Sequence, residues 1–497
     1  MDYLDPKKQR QHRIILFTGY ICIAVGIVIA TLVLVYQAYG YGLKNGAVIQ
    51  NGLLFVSSQP RGAKIYLNRK LNKSSTNARL ILPAGRYQLK LTRDGYRTWE
   101  RSVDLLGGTV RHFDYPFLVP TQLSPAQLPG DEYASAPSLS SQSPDRRWWL
   151  VQEPTDPLSF DTYDLKNPTK APVAVTLPKA VVTTSPSSTW QAVDWADDNN
   201  HLLLLHTMDD KSEYILLDRS DPGQSVNLTR TLELPADTTL TLNNKKYDQY
   251  YILDAAARLS TASLKNITAV PLLSDVLKYQ SYGNNTVLYV TASGAPAGKV
   301  MLKMQVGDTS YDLHSLPASN TYLLNLTTYS GVLYVAAGAA SESKVYIYKD
   351  PVGQLKSQSG NTTVTPIQVL HVTAPNYLGF SDNAQFIVAE GGTDFGVYDI
   401  LNEVGFNYDT HAALDAPQVH AAWMDGDRLI YVSGGKLLMF DYDHTNVQTL
   451  VPAAAATLPV FAPDFKHVYS VVPDSDSAAP AGSVAISQTS MLTPADQ

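Results

Sequence analysis

Phe386-Ile387-Val388-Ala389-Glu390-Gly391-Gly392-Thr393-Asp394-Phe395-Gly396-Val397-Tyr398-Asp399 sets the pattern of the distal chain. It is an apolar strand, a polar turn and a second apolar strand that ends in aspartate. The same unit recurs through the distal chain. Trp148–Val151 precedes Phe160–Leu165, Leu202–Leu205 precedes Tyr214–Asp218, and Tyr250–Leu253 precedes Arg258–Leu264. Val287–Val290 is followed by Lys299–Met304, and Val332–Val335 by Lys344–Tyr348. Leu429–Val432 with Leu437–Asp441, and His467–Val471 with Ser483–Ile486, complete the series. The copies start at intervals of about 38–54 residues, near the blade length of about 40–50 residues of a β-propeller.

Lead-in segments keep the same phase. Ser143-Pro144-Asp145, Ala196-Asp197-Asp198, Ser381-Asp382-Asn383 and Ala462-Pro463-Asp464 each sit just before a first hairpin strand. Asn227-Leu228-Thr229, Asn266-Ile267-Thr268, Asn325-Leu326-Thr327 and Asn446-Val447-Gln448-Thr449 recur in or near the segments that leave hairpins. Residues 119–490 are therefore read as an eight-bladed propeller, with seven blades as the alternative. A strand from one end of a ring commonly completes the blade built by the other, which removes free edges. Tyr115–Leu123 is the expected closing strand and Leu458–Thr489 the blade it completes. Asp474–Gly482 reads as a solvated loop within that blade, and residues 491–497 as a disordered tail.

Upstream, Ile14–Tyr36 is a charge-free apolar run. At about 1.5 Å per residue it can cross a hydrocarbon core of about 30 Å. Lys7, Lys8, Arg10 and Arg13 precede it and only Lys44 follows closely, which predicts an inside N-terminal side. The expected order is a cytoplasmic tail over residues 1–13, a single transmembrane helix over 14–39, and exported domains beyond. A cleaved signal peptide is the competing reading. Its apolar region would be shorter, and Ala38-Tyr39-Gly40 is a poor cleavage site. The sole cysteine, Cys22, lies in the apolar run, so the exported part folds without disulfides.

Charge divides the chain. Over residues 53–118 there are 12 Lys and Arg against 4 Asp and Glu, a balance of +8, whereas residues 119–497 carry −18. A small basic module thus precedes a large acidic one. Thirty each of Tyr, Gly and Pro suit many short strands joined by turns.

Residues 52–118 read as a small β-sandwich. Leu53–Val56, Lys64–Asn68, Tyr87–Leu91 and Tyr96–Leu105 are strands, Asp94-Gly95 is a hairpin turn, and Asn68–Asn77 reads as a polar loop. Three motifs carry a resemblance. Pro60-Arg61-Gly62-Ala63 followed by Lys-Ile-Tyr-Leu, then Leu82-Pro83-Ala84-Gly85-x-Tyr87, then Gly95-Tyr96-x-x-Trp99, resemble the bacterial PEGA domain. Arg61 stands where that family's name motif has an acidic residue, and Arg69–Asn77 lacks the usual Gly-Thr-Pro turn. The resemblance implies an extracytoplasmic, non-catalytic module. The distal repeats, in turn, look like the WD40-like propellers of bacterial envelope proteins.

The charge of the small basic module reads first as a solvated surface facing the chain's own acidic propeller. The alternative is attraction to anionic headgroups or cell-wall polymers, with Arg61, Arg86, Arg93, Arg97 and Arg101 as the contacts. Thr18, Cys22, Gly26 and Ala30 recur at every fourth position; small residues are common in membrane helices, and the alternative reading is a face on which two helices pack as a homodimer.

The sequence contains no G-x-S-x-G elbow, H-E-x-x-H, Walker loop or paired cysteines. His201 and His206 fall on opposite faces of one strand, and Asp425-Gly426-Asp427 reads as a turn, with a calcium site as the minor alternative. The Asn-x-Ser/Thr triplets at Asn72, Asn227, Asn266, Asn284, Asn325 and Asn361 read as strand-edge hydrogen-bonding positions. No cofactor, metal or nucleic-acid partner is expected. The reading is a membrane-anchored binding or scaffolding protein of the bacterial envelope, with a protein or glycan partner. The enzyme alternative, a lyase or glycosidase acting on cell-wall polysaccharide, requires carboxylates that converge on the propeller axis.

Overall fold

The computed structural model describes residues 6–38, 41–44, 47–183, 185, 188–209, 211–357, 364–416, 418–454, 457–475 and 479–497. Residues 1–5 of the expected tail, Tyr39, Asn361 and 476–478 of the Asp474–Gly482 loop lie outside the described residues. The chain divides into two units, Met1–Gln122 with Thr493–Gln497, and Leu123–Leu492.

The first unit opens with helix α1, Pro6–Ala38. Its segment Gln9–Tyr36 has a mean hydropathy of 2.5 and buries nothing against protein. Exposing such a surface to water costs about 25 cal/mol per Å², a cost that a bilayer removes. This length and apolarity suit a membrane anchor and a signal sequence alike.

Eight strands follow: β1 Tyr41–Lys44, β2 Ala47–Val56, β3 Lys64–Leu67, β4 Lys70–Ser75, β5 Ala78–Pro83, β6 Gly85–Thr92, β7 Trp99–Leu105 and β8 Val110–Phe113. One sheet joins β1, β2 and β5, with β8 parallel to β2; the other runs β4-β3-β6-β7. Alternation sends Leu54 and Val56 (β2), Ile65 (β3), Leu80 (β5), Leu89 and Leu91 (β6) and Trp99 and Val103 (β7) into one shared core. Phe113 and Tyr115 stand edge-on to Trp99 at 6.3 and 5.9 Å.

Two expectations for this region are corrected. Asn68–Asn77 is not a loop, because β4 pairs with β3 and Leu67 lies opposite Lys70. Asn68 and Arg69 take φ of 50° and 68°, the left-handed pair that a two-residue hairpin turn requires. The strand is polar because it is an exposed edge held by backbone pairing. Tyr115–Leu123 does not close the ring either. Phe117, Leu118 and Val119 are buried, Phe117 bridges to Gln59 and Pro120 to Tyr96, and the segment packs within the sandwich.

The second unit contains eight four-stranded antiparallel sheets among the described residues, seven of them running in simple chain order. Every hairpin read from the sequence is the second and third strand of one such sheet. Successive sheets pack face to face: Leu150 and Phe160 of the first meet Trp190, Leu202 and Ile215 of the second. The fifth sheet meets the sixth through Ile347 and Ile387, and Phe395 of the sixth stands edge-on to Phe440 of the seventh at 6.1 Å. Trp149 and Tyr163 of the first sheet share a core with Tyr469 and Ile486 of the last, so the series returns to its start.

The eighth sheet is completed by Ala126–Tyr133, which pairs with Val484–Ser490, Tyr133 opposite Val484 and Ala126 opposite Gln488. This is the closing strand, later in the chain than expected. The expected frayed tail is also ordered. Met491 is buried, and Thr493 and Asp496 are hydrogen-bonded within the first unit.

Candidate functional site

In a meander, the turns from first to second strand and from third to fourth strand emerge at the same edge of each sheet. Four equivalent aspartates organise that edge. Asp164, Asp218, Asp399 and Asp441 end the third strands of the first, second, sixth and seventh sheets, and all are buried. Asp164 accepts from Arg147 Nε and Nη2 at 3.0 and 2.9 Å, from Lys166 N at 3.2 Å and from Asn167 Nδ2 at 2.8 Å. The Arg147 hydrogen bonds, outweighing burial, hold its carboxyl down to about 2. Asp218 accepts from Asn200 and Ser220, Asp399 from Gln385, Leu401 N and Asn402, and Asp441 from Asn446. The terminal aspartate of the repeat is thus a clamp. In the first, second and sixth sheets it binds the two turns of that edge together.

The first turns also touch one another. Asp145 N donates to Asn199 Oδ1 at 3.0 Å and Asp197 N to Lys245 O at 3.0 Å. Asn244 Nδ2 donates to Asn284 Oδ1 at 2.9 Å, and Arg146 lies over Phe465 at 5.1 Å. A Cβ on Gly426 would collide with Asn383, so glycine is required where the sixth and seventh turns meet. Arg146 further pairs with Asp382, linking the first and sixth sheets, which are not successive.

Beside this ring of turns, between the first and last sheets, lies a cleft of about 480 Å³ lined by Asp145, Arg147, Lys166, Asp464 and His467. It shares Leu165 and Pro168 with a second hollow of about 760 Å³ that holds Tyr163, Lys170 and Tyr469. Burial lowers the His467 pKa, with Asp464 opposing and Lys466 assisting, so its imidazole is neutral at pH 7. Arg147 and Arg219 both lie over the Trp148 ring, at 4.4 and 3.8 Å. Two cations, two carboxylates and an imidazole line the cleft and can hydrogen-bond a polar ligand, and the neighbouring hollow adds the Tyr163 and Tyr469 side chains. Sequence reading took His467 only as the start of a strand and passed over Arg147 and Lys166. The one local signal was the pair of lead-in turns Ser143-Pro144-Asp145 and Ala462-Pro463-Asp464, which place Asp145 and Asp464 in the cleft lining.

Three carboxyls are raised, each first by burial: Asp161, Asp194 and Asp427, the last up to about 7. They belong to the first, second and seventh sheets. Asp161 accepts from Tyr133 Oη at 2.9 Å, and Asp194 pairs with Lys245. Asp425 accepts from Asp427 N and Arg428 N at 2.8 and 2.9 Å and pairs with the Arg428 guanidinium, the geometry of a turn. Among the described residues, no group of three or more His, Cys, Asp or Glu is placed to hold a metal ion. His206 is buried against Glu213 at 3.2 Å and stacks on Trp190, whereas His201 pairs with Asp198 and stacks on Tyr247.

The basic residues singled out in the sandwich have different partners. On the outer faces of β6 and β7, Lys90 pairs with Glu100 at 2.8 Å, Gln88 with Ser102 at 2.7 Å and Arg86 with Asp104 at 3.9 Å, a cross-strand ladder. Arg101 donates to Tyr115 Oη at 2.5 Å and lies over its ring. Burial lowers the pKa of Arg97. Arg93 pairs with Asp496, and Arg61 is exposed. In α1, Thr18, Cys22, Gly26 and Ala30 are exposed, on a stripe that winds about 40° per step. The described triplet asparagines each hydrogen-bond: Asn227 Nδ2, for example, donates to Val181 O and Glu213 Oε2, both at 2.8 Å.

One recognised domain class matches the small sandwich. Residues 51–119 match the PEGA domain family, in agreement with the three motifs. Among solved structures, the Dos1 propeller aligns at 13% identity, covering 74% of this chain and 95% of that one, with a TM-score of 0.46. The computationally designed Ika8 protein aligns at 13% identity over 74% and 98%, with a TM-score of 0.42. An oligogalacturonate lyase in complex with manganese aligns at 10% identity over 75% and 99%, with a TM-score of 0.37. No curated protein matches the chain.

Proposed function

We propose that this protein is a membrane-anchored binding platform of the bacterial envelope. Helix α1 holds it with the N-terminal side in the cytoplasm, the PEGA module stands outside the bilayer, and eight WD40-like blades present their turn edge to a protein or glycan. The observation that carries this reading is the cleft between the first and last sheets, where Arg147, Lys166 and His467 gather with Asp145 and Asp464 beside the joined turns. The positive charge of the PEGA module, above all Arg61 and the exposed Arg69, Lys70 and Lys73, supplies long-range attraction to anionic headgroups or wall polymers. The lyase or glycosidase alternative needs two convergent carboxylates.

Capture from solubilised envelopes tests the reading. Full chain is compared with the Lys166→Ala/His467→Ala variant and with an Arg61→Gln/Lys70→Gln/Lys73→Gln variant, at low and high salt. Salt-resistant capture that the cleft variant loses supports the platform. Capture unaffected by the cleft variant at both salt concentrations refutes it.

A further inference from the structure

The segment after the last strand occupies a built site on the PEGA module. Thr493-Pro494-Ala495-Asp496 forms a turn in which Asp496 N donates to Thr493 O at 2.9 Å and Thr493 Oγ1 to Asp496 Oδ2 at 3.0 Å. Proline is suited to the second position of such a turn because its ring presets φ. Two partners hold the turn from below. Tyr96 Oη donates to Asp496 Oδ2 at 2.7 Å and accepts from Thr493 N at 3.1 Å, while Arg93 pairs with Asp496 Oδ1. The phenol therefore reads both ends of the turn, and the guanidinium neutralises its carboxylate. Arg93 and Asp496 are largely enclosed, with side chains 25% and 18% exposed.

Gly95 completes the seat. Its φ of 82° is left-handed, and a Cβ there would lie 3.0 Å from Thr493 Cγ2, so glycine serves both the hairpin and the approach. The site is rigid. Tyr96 is buried, its amide donates to Arg93 O at 3.0 Å, and it bridges to Pro120. The Gly95-Tyr96 pair that belongs to the PEGA motif is thus also the floor of a peptide seat.

We propose that Arg93, Gly95 and Tyr96 form a recognition site for a Thr-Pro-x-Asp turn, occupied in cis by Thr493–Asp496 and open to the same turn in trans once the cis segment is displaced. The inference goes beyond the binding platform and is independent of the propeller cleft. A tethered segment acts at an effective concentration of millimolar order, so a free peptide competes poorly against it. Charged hydrogen bonds carry most of the selectivity.

The test uses full chain in detergent micelles, the same chain lacking Thr493–Gln497, and a labelled peptide with the sequence of residues 492–497, followed by fluorescence anisotropy. The shortened chain is expected to bind the peptide at least tenfold more tightly than the full chain. Replacing the peptide's aspartate with asparagine, or introducing Arg93→Gln, is expected to weaken binding tenfold or more. Hydrogen exchange at residues 93–97 should accelerate on truncation and slow again with peptide. A folded shortened chain that ignores the peptide, or binds the Asp and Asn forms equally, overturns the proposal. Should the shortened chain not fold, Asp496→Asn in the full chain decides. Faster exchange at residues 93–97 supports the site and unchanged exchange overturns it.

Discussion

Substituting Asp164→Asn removes the charge from the clamp that ties the third-strand end of the first sheet to Arg147. The wild-type carboxylate accepts two hydrogen bonds from one guanidinium, one from a backbone amide and one from Asn167. These hold its pKa at about 2 against an ordinary 3.8, which corresponds to about 2 kcal/mol of stability when the group is ionised. Because the folded pKa is depressed, that contribution is complete above about pH 4 and is lost as pH falls through about 2. Asparagine keeps the size and one acceptor but turns an amide N–H toward Arg147. The expected cost is about 2–3 kcal/mol at pH 7, shrinking below about 0.5 kcal/mol near pH 2. Urea unfolding followed through Trp148 and Trp149 fluorescence, with hydrogen exchange over residues 148–165, measures it. A loss under about 0.5 kcal/mol at pH 7 would refute the clamp, as would an equal loss at both pH values.

Asp427→Asn should do the opposite. Burial, against the pull of Arg428, raises the Asp427 carboxyl to about 7, so wild-type stability falls as pH rises from about 4 to 7. The variant's advantage should grow over that range in denaturant melts and level off above it; a constant difference contradicts this. Trp149 is fully buried and packs on Tyr163 and Tyr469 at 5.4 and 6.4 Å, joining first and last sheets. Trp149→Ala should cost about 3–5 kcal/mol, and near-wild-type unfolding would count against a closed ring. In lipid bilayers, oxidative crosslinking through Cys22 should yield a dimer that Gly26→Leu diminishes; monomer alone under oxidant would exclude that helix face as the contact.

The hairpins were legible through the second strands of the sheets, such as Thr286–Thr291, Phe386–Gly391 and Arg428–Ser433, because a strand buried on both faces reads as a nearly continuous apolar run. The PEGA motifs were legible for a related reason: Gly85, Gly95 and their aromatic neighbours answer to local turn and core requirements. Polar backbone pairing left no such trace. Edge strand β4 reads as a loop because its side chains face solvent, and Ala126–Tyr133 closes the ring with Pro129 and Gly130 within it. The apolar Phe117-Leu118-Val119 was the more strand-like candidate, yet its side chains fill the sandwich instead.

Periodicity and hydropathy alone thus determined that the chain carries one apolar helix, a small sandwich and a repeating array of β-hairpins. The tertiary structure decided which strand completes the last sheet, which arginines find carboxylates and which turns meet. Arg147 reaches Asp164 from 17 residues away, and Arg93 reaches Asp496 from 403 residues away. Secondary structure answers to neighbours within a few residues, whereas sites answer to groups that only closure and packing bring within hydrogen-bonding distance.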